Sequence, residues 1–248
     1  MKLVILILML CLQLSVFSQT NTDVVNEELS AEIVQKHIEP FNNRELKSFV
    51  NAFDLNVFVS QFPNDTMYLG RDKLKENYMS FFQKNKNSNV RVLNRMTFKD
   101  VVIDEELGTV NNSTNRHITI YKTANERIKS MTFVNNSNTN SNPEVIINNQ
   151  LEAYNNKDIE AFATTYSTDI KLYTFPNNLI SEGQDAIRKQ YSSFFERIPD
   201  LNAQIVNRMV LGNKVIDKEK VTVNGNIFYA IAIYEVKDGK ISKVTFIQ

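Results

Sequence analysis

The sequence predicts an α+β fold: two tandem cone-shaped domains, each with three helices packed on a curved antiparallel sheet. Three observations predict it. First, the chain repeats itself without a gap at a constant offset of 113 residues, Pro63 recurring as Pro176 and Gly70 as Gly183. Second, each copy opens with apolar residues at helical spacing and closes with residues alternating at period two. Third, the run Asn135-Asn136-Ser137-Asn138-Thr139-Asn140-Ser141-Asn142 between the copies has no apolar residue and reads as a linker.

The first 18 residues stand apart. Lys2 gives a positive start, Leu3 to Phe17 is apolar but for Gln13, and Val16-Phe17-Ser18 offers small enough residues for signal peptidase. A secretory signal peptide over 1–18 is expected, since an uncleaved anchor needs about 20 apolar residues. Cys11 would leave with it, so the mature chain would hold no disulfide and no thiol chemistry. A secreted or periplasmic destination follows. Residues 19–29 are polar and are expected to be disordered.

The first domain is expected over 30–135. A helix near Ser30 carries Ile33, Val34, His37, Ile38 and Phe41 on one stripe, with Pro40 at its last turn or at a kink. A second helix from about Arg44 carries Leu46, Phe49, Val50 and Phe53. A strand runs from Asn56 to Phe62, ended by Pro63. A third helix from about Arg71 carries Leu74, Tyr78, Phe81 and Phe82. Four strands follow, Val90 to Phe98, Val101 to Ile103, Ile118 to Tyr121 and Met131 to Val134.

The linker covers 136–143 and the second domain 144–248. Asn142 suits an N-cap and Pro143 the first helical position. Ile147, Leu151 and Tyr154 mark helix one; Ile159, Phe162, Ala163 and Tyr166 helix two; Ile187, Tyr191, Phe194 and Phe195 helix three. The strand Ile170 to Phe175 ends at Pro176. Gly212-Asn213, Asn224-Gly225 and Asp238-Gly239 are favoured two-residue hairpin turns. The first copy has Lys99-Asp100, Asn111-Asn112 and Asn125-Glu126 instead, which predicts looser or longer turns there. Helices on one face of a curved sheet leave a hollow between the layers.

Lys plus Arg and Asp plus Glu number 28 each, so no global field favours nucleic acid or an anionic membrane. With two His and no His-x-His spacing, no metal site is expected, and no phosphate loop or nucleophile elbow is present. No cofactor is implied.

The element order, the Tyr154-Asn155-Asn156-Lys157-Asp158 break, Gly183 ahead of helix three and the hairpin from Tyr234 to Ile241 resemble the SnoaL-like branch of the nuclear transport factor 2-like superfamily. The resemblance spans roughly 31–135 and 144–248 and is clearer in the second. It implies a cone pocket, while the superfamily's members include isomerases, cyclases, dehydratases, epoxide hydrolases and non-catalytic binders. The ketosteroid isomerase pattern does not carry over. Where its general-base Asp precedes a proline, this chain has Thr174-Phe175-Pro176 and Gln61-Phe62-Pro63. Its carbonyl-polarising Tyr falls on Gln150 and His37, and its protonated Asp near Ala232 and Thr119. The supporting tyrosines match Tyr166 and Tyr191, with Phe53 and Tyr78 in the first copy.

Candidate ligand-binding residues are therefore Gln150, Tyr166, Tyr191 and Asn207 in the second copy and His37, Tyr78 and Asn94 in the first. His37 and Gln150 are polar groups on apolar stripes, read either as the floor of the hollow or as core residues bonded to the backbone. His37 is the best candidate base, having a side chain that titrates near neutrality. Strand alternation puts Asn94 and Asn207 in the concave face and Arg95 and Arg208 on the convex face or an edge. Asp104 with Glu106, and Asp217 with Glu219, read as a solvated face. His117 has Ala230 as its counterpart. The expected function is binding of a small apolar or amphipathic ligand in the second cone, the alternative a cofactor-free enzyme of cyclase, dehydratase or isomerase type. Both faces of Phe228 to Tyr234 are apolar, and an intramolecular pseudo-dimer of the two domains is expected to cover one of them.

Overall fold

The computed structural model describes residues 21–137 and 140–248. The expected signal peptide lies outside the described residues. The chain divides into two units, Asn21–Asn135 and Asn136–Gln248.

The N-terminal unit runs α1 (Asn21–Asn43), α2 (Leu46–Asn51), β1 (Phe53–Gln61), β2 (Asp65–Leu69), α3 (Arg71–Lys84), β3 (Asn89–Phe98), β4 (Val101–Val110), β5 (Ser113–Ala124) and β6 (Arg127–Val134). The C-terminal unit repeats this order as α4 (Pro143–Asn156), α5 (Ile159–Thr164), β7 (Tyr166–Thr174), β8 (Asn178–Glu182), α6 (Gln184–Arg197), β9 (Asn202–Leu211), β10 (Lys214–Val223), β11 (Asn226–Lys237) and β12 (Lys240–Ile247). The sheets are six-stranded, in the orders β2-β1-β6-β5-β4-β3 and β8-β7-β12-β11-β10-β9. All neighbours are antiparallel except β1 with β6 and β7 with β12, which are parallel. Two strands escape the sequence pattern, β2 and β8. They are short and mostly exposed edge strands, so no buried alternation marks them.

The core of each unit lies between the helices and one sheet face. Val34, Phe49, Phe53, Leu74, Val102 and Tyr121 represent it in the first unit, and Ile147, Phe162, Ile187, Val215, Ala232 and Tyr234 in the second. The repeated Asn-Asn motif has a structural task. Asn155 donates to the Ala203 carbonyl at 2.9 Å and accepts from its N–H at 2.7 Å, tying the end of α4 to the outer strand β9. Asn42 does the same for Val90 of β3, at 3.0 and 2.7 Å. The break that follows in the second unit is a left-handed Lys157, φ 57°, and an Asp158 cap whose carboxylate accepts from Ala161 N–H at 3.0 Å. Asn142 caps α4 through Glu144 N–H at 3.0 Å, with Pro143 in the first turn.

Two expectations are corrected. Residues 21–29 are helical, because α1 starts at Asn21 rather than near Ser30. Polar contacts hold it: Thr97 donates to Glu27 at 3.0 Å and Ser30 to the Lys99 carbonyl at 3.2 Å. The first unit's hairpins are also as tight as the second's. Val110 pairs with Ser113 and Ala124 with Arg127, leaving two-residue turns. Asn111, Asn112, Asn125 and Glu126 all adopt positive φ without glycine. Asn tolerates this conformation; Glu126, φ 57°, pays about 1 kcal/mol for it. Among the described residues no helix is long and apolar enough to cross a membrane.

Candidate functional site

In the C-terminal unit, β10 sends Val215, Asp217, Glu219, Val221 and Val223 toward the helices, since Val215, Val221 and Val223 all pack in the helix-facing core. Asp217 and Glu219 are thus carboxyls on an apolar face, not the solvated face that their charge predicts. Asp217 is fully buried and receives both arms of Arg208 at 2.6 Å, and Arg208 also donates to Asn148 of α4 at 2.6 Å. Burial raises the Asp217 pKa against the pull of Arg208.

Glu219 has no cation. Its Oε1 accepts from the Tyr234 hydroxyl at 2.7 Å, and Oε2 has no hydrogen-bond partner among the described residues. Desolvation outweighs the Tyr234 bond and pushes its pKa up from 4.5 to about 7. Glu219 is nonetheless only half-buried, as are Ile205, Val221, Phe228 and Ala230 around it.

The sequence-derived residues divide cleanly. Gln150 is buried on α4 and donates to the Tyr166 hydroxyl at 3.1 Å. Tyr191 packs against Phe162 with ring centroids 4.6 Å apart, in an aromatic wall with Tyr154 and Phe195. Burial raises the pKa values of Tyr166 and Tyr191, with the Glu219 charge adding to both, so the three groups share one electrostatic neighbourhood. Gln150, Tyr166 and Tyr191 therefore gather at the cone that Glu219 faces.

Asn207 and Asn94 do not. A bulge shifts the register between Ile205 and Asn207, because Glu219 pairs with Ile205 and Lys218 with Asn207; the same shift falls between Val92 and Asn94. The extra residue exchanges the two faces. Asn94 and Asn207 turn away from the helices, and Arg95 and Arg208, expected outside, turn toward them.

The N-terminal unit carries the same positions with different partners. Asp104 takes both arms of Arg95 at 2.6 and 2.7 Å, and Arg95 also reaches the Ala31 carbonyl of α1 at 3.3 Å. Glu106, the counterpart of Glu219, is enclosed. It accepts from Tyr121 at 3.0 Å and Thr119 at 3.0 Å, and its Oε2 lies 2.8 Å from His117 Nε2. Burial disfavours its charge, but His117 and Tyr121 overcome this and hold its pKa below the ordinary value. His117 is correspondingly raised, the bond and charge of Glu106 outweighing burial.

His37 is a satisfied core residue. Nδ1 bonds the Val34 carbonyl, Nε2 lies 3.2 Å from the Tyr121 hydroxyl, and Phe49 and Phe53 flank the ring. Burial lowers its pKa to about 4, too low for a base at neutral pH. Tyr78 packs on Phe49 at 4.4 Å, part of the same filled core.

Sequence reasoning missed Glu219, Tyr234, Glu106, Tyr121 and His117. The first four carry a readable signal: the same acid and the same tyrosine recur at the repeat offset, on the face that also carries the core valines Val215, Val221 and Val223.

Residues 147–244 match the SnoaL-like domain family. The C-terminal unit is a SnoaL-like domain. The N-terminal unit repeats its element order and sheet topology. Solved structures similar to part of this chain include an uncharacterized cystatin fold protein from Novosphingobium aromaticivorans, 22% identical over 44% of this chain and 99% of that one, TM-score 0.41. Another is an NTF2-like protein of unknown function from Cytophaga hutchinsonii, 14% identical over 44% and 92%, TM-score 0.37. A third is an LEH-like epoxide hydrolase from Mycobacterium tuberculosis, 15% identical over 42% and 80%, TM-score 0.38. No curated protein matches the sequence.

Proposed function

We propose that the C-terminal SnoaL-like domain binds a small, largely apolar molecule in its cone, with the polar group of that molecule against Glu219. The observation that carries this reading is the contrast between equivalent carboxyls. Glu106 is enclosed by Thr119, Tyr121 and His117, whereas Glu219 is half-buried and among the described residues keeps Tyr234 alone. A buried acceptor left without a donor costs on the order of 1–3 kcal/mol, which a ligand donor recovers. The half-buried Ile205, Val221, Phe228 and Ala230 around Glu219 supply the apolar surface. The N-terminal cone, filled by His37, Tyr78 and the Glu106 cluster, is the structural partner.

The second reading is a cofactor-free enzyme in which Glu219 moves the proton. It is favoured by a carboxyl that ionises at about 7, where an acid–base group works in both directions at neutral pH. Mass spectrometry of the natively purified protein tests binding directly: a retained small molecule, released by Glu219→Gln, is expected, and a cone empty across growth conditions counts against both readings.

Export is also proposed, on the positive start, the apolar run and the small residues before position 19. N-terminal sequencing of the protein recovered outside the cytoplasm should begin at Gln19.

A further inference from the structure

The two units differ in how their buried acids are neutralised, and the difference specifies a ligand. Each unit places two carboxyls on its helix-facing sheet surface. In the first, Asp104 has Arg95 and Glu106 has His117. In the second, Asp217 has Arg208, and Glu219 has no cation among the described residues.

The missing cation has a definite place. His117 sits directly opposite Glu106 across the β4–β5 ladder, and Ala230 sits directly opposite Glu219 across β10–β11. Thr119, the other donor to Glu106 Oε2, is matched by Ala232. Both donors are thus cut back to methyl groups in the second unit, and the acid is kept. The His117 ring lies close over Gly108: a Cβ there would lie 2.9 Å from His117 Cε1, so a larger residue would push the ring aside. The counterpart of Gly108 is Val221, which closes the side on which the ring leans. A ring reaching Glu219 therefore comes in over the half-buried Ala230.

We propose that the C-terminal cone takes a small ligand carrying a basic nitrogen heterocycle of the imidazole type, whose ring N–H donates to Glu219 Oε2 as His117 Nε2 does to Glu106. The inference rests on the reading of this cone as the binding site and adds the class of ligand. The cation restores the charge balance that the first unit achieves internally, and a charge-assisted bond in a desolvated hollow is stronger than a neutral one. The rest of the ligand is apolar and lies against the half-buried Ile205, Val221 and Phe228 beside Glu219.

Two probes of similar size separate the alternatives in titrations of the full chain followed by NMR. 4-Phenylimidazole offers a basic ring nitrogen, and 4-phenylphenol offers a hydroxyl. The expected result is saturable binding of 4-phenylimidazole with shifts at Ala230, Ala232 and Tyr234, weakened at least tenfold by Glu219→Gln. In the paired variant Val221→Gly with Ala230→His the internal imidazole occupies the place and binding is lost. Circular dichroism of each variant confirms that it is folded. Equal affinity for the Glu219→Gln protein overturns the inference. Binding of 4-phenylphenol without 4-phenylimidazole also overturns it but leaves the proposed function standing. Failure of both probes overturns both.

Discussion

Glu219 gives the sharpest test of the site's electrostatics. Its folded pKa of about 7 lies above the ordinary 4.5, so between these values the folded unit holds a proton that the unfolded chain releases. A raised carboxyl pKa means that the charged form is penalised in the fold. Glu219's contribution to the stability of the C-terminal unit is therefore fully present below about 4.5 and is lost as pH rises through 7. Each pKa unit corresponds to about 1.4 kcal/mol, so the full loss is on the order of 3 kcal/mol. Glu219→Gln keeps the shape and an acceptor for Tyr234 and removes the titration. The variant should match the parent near pH 4.5 and exceed it by up to that amount at pH 8. Urea unfolding followed by circular dichroism between pH 4.5 and 8 measures this, with the unfolding of the N-terminal unit as an internal reference. A parent and variant whose difference is the same at every pH would refute the argument, because a burial penalty on charge cannot be independent of pH.

Other outcomes follow from the N-terminal unit and the turns. His37, lowered from 6.5 to about 4, contributes stability that is fully present above 6.5 and lost as pH falls through 4; His37→Gln should flatten the acid limb of unfolding measured from pH 7 to 4. His117→Ala leaves Glu106 buried without its cation and, with the histidine side chain 35% exposed, should cost about 2 kcal/mol in chemical denaturation. Asn155→Ala removes both bonds to Ala203 and should cost about 2 kcal/mol, with faster amide exchange along β9. Glu126→Gly relieves the positive φ and should raise the melting temperature, by the equivalent of about 1 kcal/mol less glycine's greater chain entropy.

The layer order was legible because it rests on periodicity. Helical stripes such as Ile187, Tyr191, Phe194 and Phe195 and the alternation in the meander each bury one face, and both survive in the structure. Turn chemistry was legible where glycine marks it and misleading where asparagine does the same work, as at Asn111-Asn112. The site was less legible for a specific reason. Alternation assigns faces only while register is constant, and the bulges at Leu93 and Val206 exchange them partway along β3 and β9. Asn207 was thereby placed inside and Arg208 outside, the reverse of the structure. With Arg208 outside, nothing remained to pair Asp217, and the adjoining acids read as solvated. Gln150, Tyr166 and Tyr191 lie on helices or at a strand's first residue, ahead of any bulge, and all three are buried in the C-terminal unit.

The retention of the carboxyl in both units constrains what the duplication has done. A glutamate on an apolar sheet face destabilises a fold unless something neutralises or bonds it, so a unit with no use for Glu219 loses nothing by replacing it with an apolar residue. The first unit instead surrounds the acid with His117, Thr119 and Tyr121 and opens Gly108 to admit the imidazole. The second holds Tyr234 and presents Ala230 and Ala232 where the other donors would stand. One copy satisfies the acid from within, through three side-chain donors. The other leaves the same acid bonded to Tyr234 alone among the described residues, with alanine at both positions where the first unit supplies the remaining donors.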